Sequence, residues 1–309
     1  MFKKFISSLC NEGNPLYLFI NIFGHLIGLI FFFYDSYFEI RSEFVHPLFH
    51  DFCVAILLTG LILSIVLCMY TDPGIITKDN VEDHISRYPY DNQLYYPTEC
   101  RTCKMQKPAR SKHDRYLNKC IARYDHYCTF LKAPIGLRNY RWFLLFLLSG
   151  GMIHIYGVLF HILLLTKRVT KQQIVSKLLN SLIESTTANR FLLIFKAMFP
   201  FTLTIFMVFL SSYLLVIYSW LLYSNFRQIL QNRTGNDFDK YQRNKYDIEK
   251  FLEIKRLRKS LGIDQQYKPN PNFYRENLKE GFKHILFPDK YKPQLRNRNT
   301  NMSLQKKMK

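Results

Sequence analysis

Hydrophobic residues along this chain gather into four blocks separated by polar stretches. Leu16 to Tyr34 is apolar almost throughout, with His25 inside it. Leu48 to Tyr70 is the second block, broken near its start by His50 and Asp51. Trp142 to Thr166 is the third. The fourth runs from Phe191 to Tyr223 and contains Lys196 and Pro200, which places its span at Phe199 to Tyr223. Helices that are apolar on every side need lipid or a very large core around them. A bilayer core is crossed by about 20 apolar helical residues. The pattern therefore predicts an all-α integral membrane fold with four transmembrane helices. It divides the chain into residues 1–70 (N-terminal segment and helices one and two), 71–141 (a polar, cysteine-rich segment), 142–223 (helices three and four with the loop between them) and 224–309 (a polar C-terminal region).

Charge orients these spans. The chain has 309 residues, is 48% apolar, and still carries a net charge of +20. The segment Thr71–Arg141 holds 13 Lys and Arg, and the tail after Tyr223 holds 21. Between the first two spans, Asp35 to Pro47 has only Arg41 against Asp35, Glu39 and Glu43. Basic residues stay on the cytosolic side of a membrane, so both termini and the 71–141 segment are expected in the cytosol. Lys167 to Lys196 runs against this rule, with six basic residues and one acid on the side expected to be lumenal. The basic start is followed by an apolar run too long for a cleaved signal, and no small-x-small site follows it; the run is expected to be a retained span. The positive charge suits anionic lipid headgroups. Four spans, and no basic helix with base-reading spacing, argue against nucleic acid.

Four of the seven cysteines, Cys100, Cys103, Cys120 and Cys128, fall in the 71–141 segment. Cytosolic thiols stay reduced, so a cluster there points to metal or catalysis. Cys100, Cys103, His113 and Cys120 form a Cys-x2-Cys-x9-His-x6-Cys set suited to one closed, structural Zn2+ site. The polar stretch between these ligands has no core of its own, and zinc can supply roughly 10 kcal/mol of folding free energy or more to such a segment. Cys128 is then the spare thiol. It follows Asp125 and His126 in the run Asp125-His126-Tyr127-Cys128, the pattern of a nucleophile with a base and an orienting acid. Cys120 and Cys128 can exchange roles in principle; His126 favours Cys128 as the nucleophile. Trp142 begins the third span close by, which places Cys128 near the membrane surface, where a long-chain acyl substrate would lie.

With these residues in view the chain resembles the DHHC protein S-acyltransferases, or palmitoyltransferases. Asp72-Pro73-Gly74 resembles that family's Asp-Pro-Gly motif, and Lys107-Pro108-x-Arg110-Ser111-Lys112-His113 its Lys-Pro-x-Arg-Ser-x-His stretch. Ile135-Gly136, Asn139 and Phe143 are similar to its Ile-Gly-x-x-Asn-x-x-x-Phe run. Thr234-Gly235-Asn236-Asp237 is a degenerate Thr-Thr-x-Glu motif, and Asn277 with Phe282 resembles its C-terminal element. The stretches TDPGIITK and YPYDNQLYYP are most similar to the subgroup that includes the fungal endoplasmic reticulum enzyme acting on SNARE proteins. The resemblance implies transfer of a long-chain acyl group, usually palmitoyl, from palmitoyl-CoA to thiols of membrane-associated proteins through a Cys128 acyl-enzyme. His126 would be the base and Asp125 would orient it. The acyl chain would lie among the spans. Lys107, Arg110 and Arg138 are candidate contacts for the phosphates of coenzyme A. The family's usual second zinc set would fall at Asp114, Leu117, Tyr127 and Pro134, where all four ligands are missing. The alternative to an active enzyme is a catalytically weak relative acting as a membrane scaffold.

The last residues, Lys306-Lys307-Met308-Lys309, match a dilysine retrieval signal. Location in the endoplasmic reticulum is expected, with the Golgi as the alternative. The polar stretch from Pro288 to Lys309 is expected to be disordered.

Overall fold

The structure, a computed structural model, describes residues 26–91, 94–170, 180, 183, 187–243 and 285–288. Residues 16–25 of the first expected span, Cys10, Asn277, Phe282 and the terminal lysines lie outside them. In chain order, residues 26–31 are helical and pass into a π-helix at Phe32–Tyr37 and then α1 at Phe38–Arg41. There follow α2 (Pro47–Tyr70), β1 (Ile75–Ile76), α3 (Val81–Arg87), β2 (Thr98–Cys100), β3 (Met105–Lys107), β4 (Lys112–Asp114), β5 (Lys119–Ile121), β6 (His126–Cys128), β7 (Ala133–Ile135), α4 (Tyr140–Thr170) and α5 (Thr187–Leu230). A short last helix, α6, covers residues 235–243.

Among the described residues three helices are long and apolar enough to cross a membrane: Pro47–Tyr70, Tyr140–Arg168 and Phe201–Leu230. Only 17–22% of their most apolar stretches is buried inside the molecule. Side chains such as Phe52, Ile62, Leu159 and Phe209 therefore face outward. Water would penalise that arrangement at roughly 25 cal/mol per Å2 of apolar surface, whereas lipid does not. The segment 35–47, read from sequence as a loop, is largely helical. The expected third and fourth spans are extended at both ends.

The chain divides into two compact units, Met1–Ile65 with Leu145–Leu222, and Val66–Leu144 with Tyr223–Lys309. In the first, the polar residues that interrupt the hydrophobic blocks meet one another. Arg168, 10% exposed, donates to the carboxylates of Asp35 (3.1 Å) and Glu39 (2.6 Å), and also to Thr204. Lys167 pairs with Glu43. Two of the six basic residues that break the charge rule are thus balanced by the acids of the 35–47 segment. Asp51 accepts from Tyr37 (2.7 Å) and Arg41 (2.9 Å), and buried His50 hydrogen-bonds Tyr156.

The second unit corrects the all-α expectation: the molecule is mostly helical, but its cysteine-rich segment is built from seven strands of two or three residues. They form an antiparallel sheet in the order β1-β5-β4 and two hairpins, β2-β3 and β6-β7. Strands this short carry no alternating hydrophobic pattern to read. Turns make them, and Lys104, Arg110, Asn118, Arg123 and Lys132 all take positive φ. The hydrophobic cluster beneath the main sheet has six buried members, Ile76, Val81, Cys100, Cys120, Ala122 and Leu137. Two of these are candidate metal ligands, so apolar burial here is scant.

Sequence motifs clasp this unit. Asp72 Oδ1 accepts the backbone N–H groups of Gly74 (2.9 Å) and Ile75 (2.8 Å), an Asx turn completed by Gly74 at φ +104°. Asp72 Oδ2 pairs with Arg138 at 2.6 Å. A Cβ at Gly136 would lie 2.5 Å from the Pro73 carbonyl, so only glycine lets these two segments meet. Asn139, 1% exposed, donates to the carbonyls of Cys68 (3.1 Å) and Pro134 (2.9 Å) and accepts from Gly136 N–H (2.9 Å). One amide ties the end of α2 to the start of α4 and to the β6-β7 hairpin.

Candidate active site and metal centre

The metal-ligand candidates are brought together. His113 and Cys120 face each other in the β4-β5 register, and Cys100 ends β2 just before the turn that carries Cys103. The ligand atoms of Cys100, Cys103, His113 and Cys120 all lie within 4.8 Å of one another. His113 Nδ1 is 3.5, 3.3 and 3.9 Å from the sulfurs of Cys100, Cys103 and Cys120. A tetrahedral zinc with ordinary bond lengths sets such nitrogen–sulfur edges at about 3.6 Å. The Cys103 N–H points at Cys100 Sγ (3.4 Å), a bond that supports a thiolate. Donor set and spacing fit one zinc ion, which when bound supplies cross-linking of β2, β4 and β5 and no reactive position.

The positions of the missing second set are filled by other contacts. Asp114 Oδ1 caps the turn at Tyr116 and Leu117 N–H (3.1 and 2.8 Å). Tyr127 pairs with Pro134 across the β6-β7 hairpin and lies against the Tyr116 ring, with centroids 4.2 Å apart. Aromatic packing and a side-chain cap occupy this lobe, and it offers a metal no donor set. Metal analysis of the purified protein is therefore expected to return one zinc per chain. Two per chain would refute this account.

The nucleophile candidates lie on β6. Side chains two apart on a strand share a face, so His126 and Cys128 point one way and Tyr127 the other. This is the physical content of the His-x-Cys spacing. Cys128 is 9% exposed and Asp125 5%. His126 donates from Nδ1 to Asp125 Oδ2 at 2.7 Å, and its ring rests edge-on to Phe143. Burial alone would lower the pKa of His126; hydrogen bonds and charge from Asp125 and Cys128 outweigh it and push it up to about 10. A histidine that keeps its proton at neutral pH is a positive charge beside Cys128.

The second carboxylate oxygen of Asp125 is held from a distant part of the chain: Gly235 N–H donates to Oδ1 at 2.6 Å. A Cβ at Gly235 would come within 3.3 Å of the Asp125 carbonyl. Gly235 is fixed by a capping box at the start of α6, in which Thr234 Oγ1 accepts from Asp237 N–H (3.1 Å) and Asp237 Oδ2 from Thr234 N–H (2.9 Å). Asp237 also takes two bonds from Arg110, at 2.6 and 3.0 Å, and one from the Tyr95 hydroxyl. Burial alone would raise its pKa; the Arg110 charge and these bonds hold it below the usual carboxylate range.

Arg110 is fully buried, so it is not a surface contact for phosphate. Arg138 is engaged by Asp72. Thr234 caps α6, while Gly235 reaches Asp125 and Asp237 holds Arg110. The Thr-x-x-Asp spacing signals the cap, but nothing local reveals which carboxylate Gly235 meets.

His126 and Cys128 on one strand, with Asp125 just before it and a Cys3His cluster in the same unit, form an arrangement suited to thiol chemistry in a chain with membrane-capable helices. Residues 94–242, just under half of the chain, match the DHHC palmitoyltransferase family model. It is 41% identical over 129 residues to palmitoyltransferase SWF1 of Yarrowia lipolytica, covering 41% of this chain and 34% of that protein. It is 34% identical over 149 residues to palmitoyltransferase swf1 of Schizosaccharomyces pombe, covering 48% and 41%. It is 38% identical over 100 residues to palmitoyltransferase ZDHHC4 of Mus musculus, covering 30% and 29%. In each case the match spans less than half of the relative's length.

Proposed function

We propose that this protein is a protein S-acyltransferase, with Cys128 as nucleophile, His126 as its proton partner and Asp125 as the group that orients His126. The observation that carries this reading is the Gly235–Asp125–His126–Cys128 arrangement on and around β6. In the first step Cys128 attacks the thioester carbonyl of an acyl-CoA. The carbon–sulfur bond to coenzyme A breaks, and the departing thiolate takes the proton held by His126. Once Cys128 is acylated, His126 loses the support of its charge, which frees the ring to take a proton from an incoming cysteine thiol. That thiol attacks the acyl-enzyme and releases Cys128. Cys100, Cys103, His113 and Cys120 would hold a structural zinc that cross-links the strands, and no step passes through it.

The supporting topology has four spans, the first at Leu16–Tyr34, with the cysteine-rich segment between the second and third and both termini cytosolic. Balance of Lys167 and Arg168 by local acids removes part of the objection to that orientation. The resemblance of TDPGIITK and YPYDNQLYYP to the fungal subgroup noted above favours residence in the endoplasmic reticulum and SNARE-type membrane proteins as substrates.

Incubation of purified protein with labelled palmitoyl-CoA is expected to give a hydroxylamine-labile label that is absent in Cys128→Ala. Zinc-replete wild-type protein that takes no label would instead indicate a scaffold.

A further inference from the structure

Residues 285–288, Ile-Leu-Phe-Pro, run buried, exposed, exposed, buried. Ile285 is 3% exposed, whereas Leu286 is 51% and Phe287 58% exposed. The backbone beside this outward pair is gripped. Arg141 Nη1 donates to the Leu286 carbonyl (3.1 Å), and Arg87 Nη1 donates to the Pro288 carbonyl (2.7 Å). Arg87 is itself buried and paired with Asp83 at 3.1 Å. A frayed chain end leaves apolar side chains outside by default. A segment pinned at two carbonyls instead presents them at a set place.

Arg141 fixes where that place is. It lies in the first turn of α4, one of the membrane-capable helices, and its guanidinium sits over the Trp142 ring, 4.7 Å from the centroid. The end of α2 comes to the same level: Asn139 Nδ2 holds the Cys68 carbonyl (3.1 Å), and Tyr70, two residues on, is 83% exposed. Tyr and Trp at the ends of apolar helices mark the membrane–water interface. Leu286 and Phe287 thus stand about one arginine side chain from that interface. Lys283, Lys290 and Lys292 flank them in the sequence, and basic residues beside a membrane draw anionic headgroups.

We infer that Leu286 and Phe287 insert into the anionic leaflet at the start of α4, cytosolic in the proposed topology, as an interfacial foot. The two apolar side chains suit the acyl region, and the surrounding cations suit the headgroups above it. The foot is continuous with the lipid-facing surface of α4. Through Arg87 it also ties α3 of the cysteine-rich unit to the membrane. The inference rests on the reading that α2 and α4 cross a bilayer and is independent of acyl transfer.

The test puts the photocrosslinker p-benzoylphenylalanine in place of Phe287, and in a second variant in place of Leu286. The full-length protein is studied in vesicles of phosphatidylcholine with or without phosphatidylserine, and adducts are read by mass spectrometry. Leu159, 60% exposed on α4, is the position that controls for lipid contact, and Glu82, exposed on α3, the one that controls for water. Phospholipid adducts are expected at 287 and 286 and absent at 82, and their yield is expected to rise when phosphatidylserine is present. Adducts at neither position, adducts to a second protein chain in place of lipid, or indifference to phosphatidylserine would each overturn the proposal. Adducts at 159 with none at 286 or 287 sink this inference alone. No adduct at 159 sinks the spanning reading, and this inference with it.

Discussion

Asp125→Asn is expected to reduce acyl-enzyme formation by about three to four orders of magnitude while leaving the fold intact, by analogy with loss of the orienting acid in other triads. The Asp125 carboxylate accepts two hydrogen bonds, from His126 Nδ1–H and from Gly235 N–H. An amide of the same shape has one acceptor oxygen, so its NH2 group must face one of those two donors. Either His126 turns or α6 shifts. The charge that helps hold the His126 pKa near 10 is lost as well. The sign of the pH effect follows. His126 carries its positive charge below its pKa, so in the wild type that charge persists through the neutral range and disappears as pH rises through about 10. Without the Asp125 contribution it disappears at lower pH, and residual loading in the variant should fall off earlier on the alkaline side. Label incorporation as a function of pH checks both, with zinc content and melting temperature as controls for folding. Loading within tenfold of wild type would remove Asp125 from the site.

Asp237→Ala is expected to destabilise the cysteine-rich unit by about 3–5 kcal/mol, the usual cost of leaving a buried charge without its partner. Arg110 and Arg123 are both buried, at 0% and 5% exposure, and lie close enough to repel one another. Arg123 has a single weak bond to Asn232 (3.3 Å), and its Nε has no partner. Asp237 is the carboxylate that answers Arg110 directly. Its removal also breaks the capping box at Thr234 and loosens the Gly235 N–H that holds Asp125, so acylation should fall with stability. Thermal unfolding of the detergent-solubilised protein reads the first effect. The double variant Arg110→Met with Asp237→Leu supplies the comparison, since exchanging a buried ion pair for apolar groups costs far less than breaking it. Equal melting temperatures for wild type and Asp237→Ala would show that the pair is not structural.

Parts of this molecule are readable from local spacing. Blocks of about 20 apolar residues are long-period signals, and three of them appear as helices near their expected bounds. The Cys-x2-Cys pair sits in one turn, and the step of two between His126 and Cys128 follows from strand geometry. The short strands were missed because three residues show no period. The role of Arg110 was misjudged because a basic residue in a polar stretch looks solvent-exposed until a partner 127 positions away is brought against it.

By itself the sequence determined three membrane-capable helices, the grouping of Cys100, Cys103, His113 and Cys120, and the shared strand face of His126 and Cys128, because each depends on residue type at short, regular spacing. The tertiary structure alone decided that Gly235 orients Asp125, that Asp237 neutralises Arg110, and that acids at 35, 39 and 43 balance Lys167 and Arg168. All of these are pairings between distant segments. Burial makes them matter, since a polar group removed from water must find its partner wherever the fold brings one, and that distance along the chain leaves no local trace.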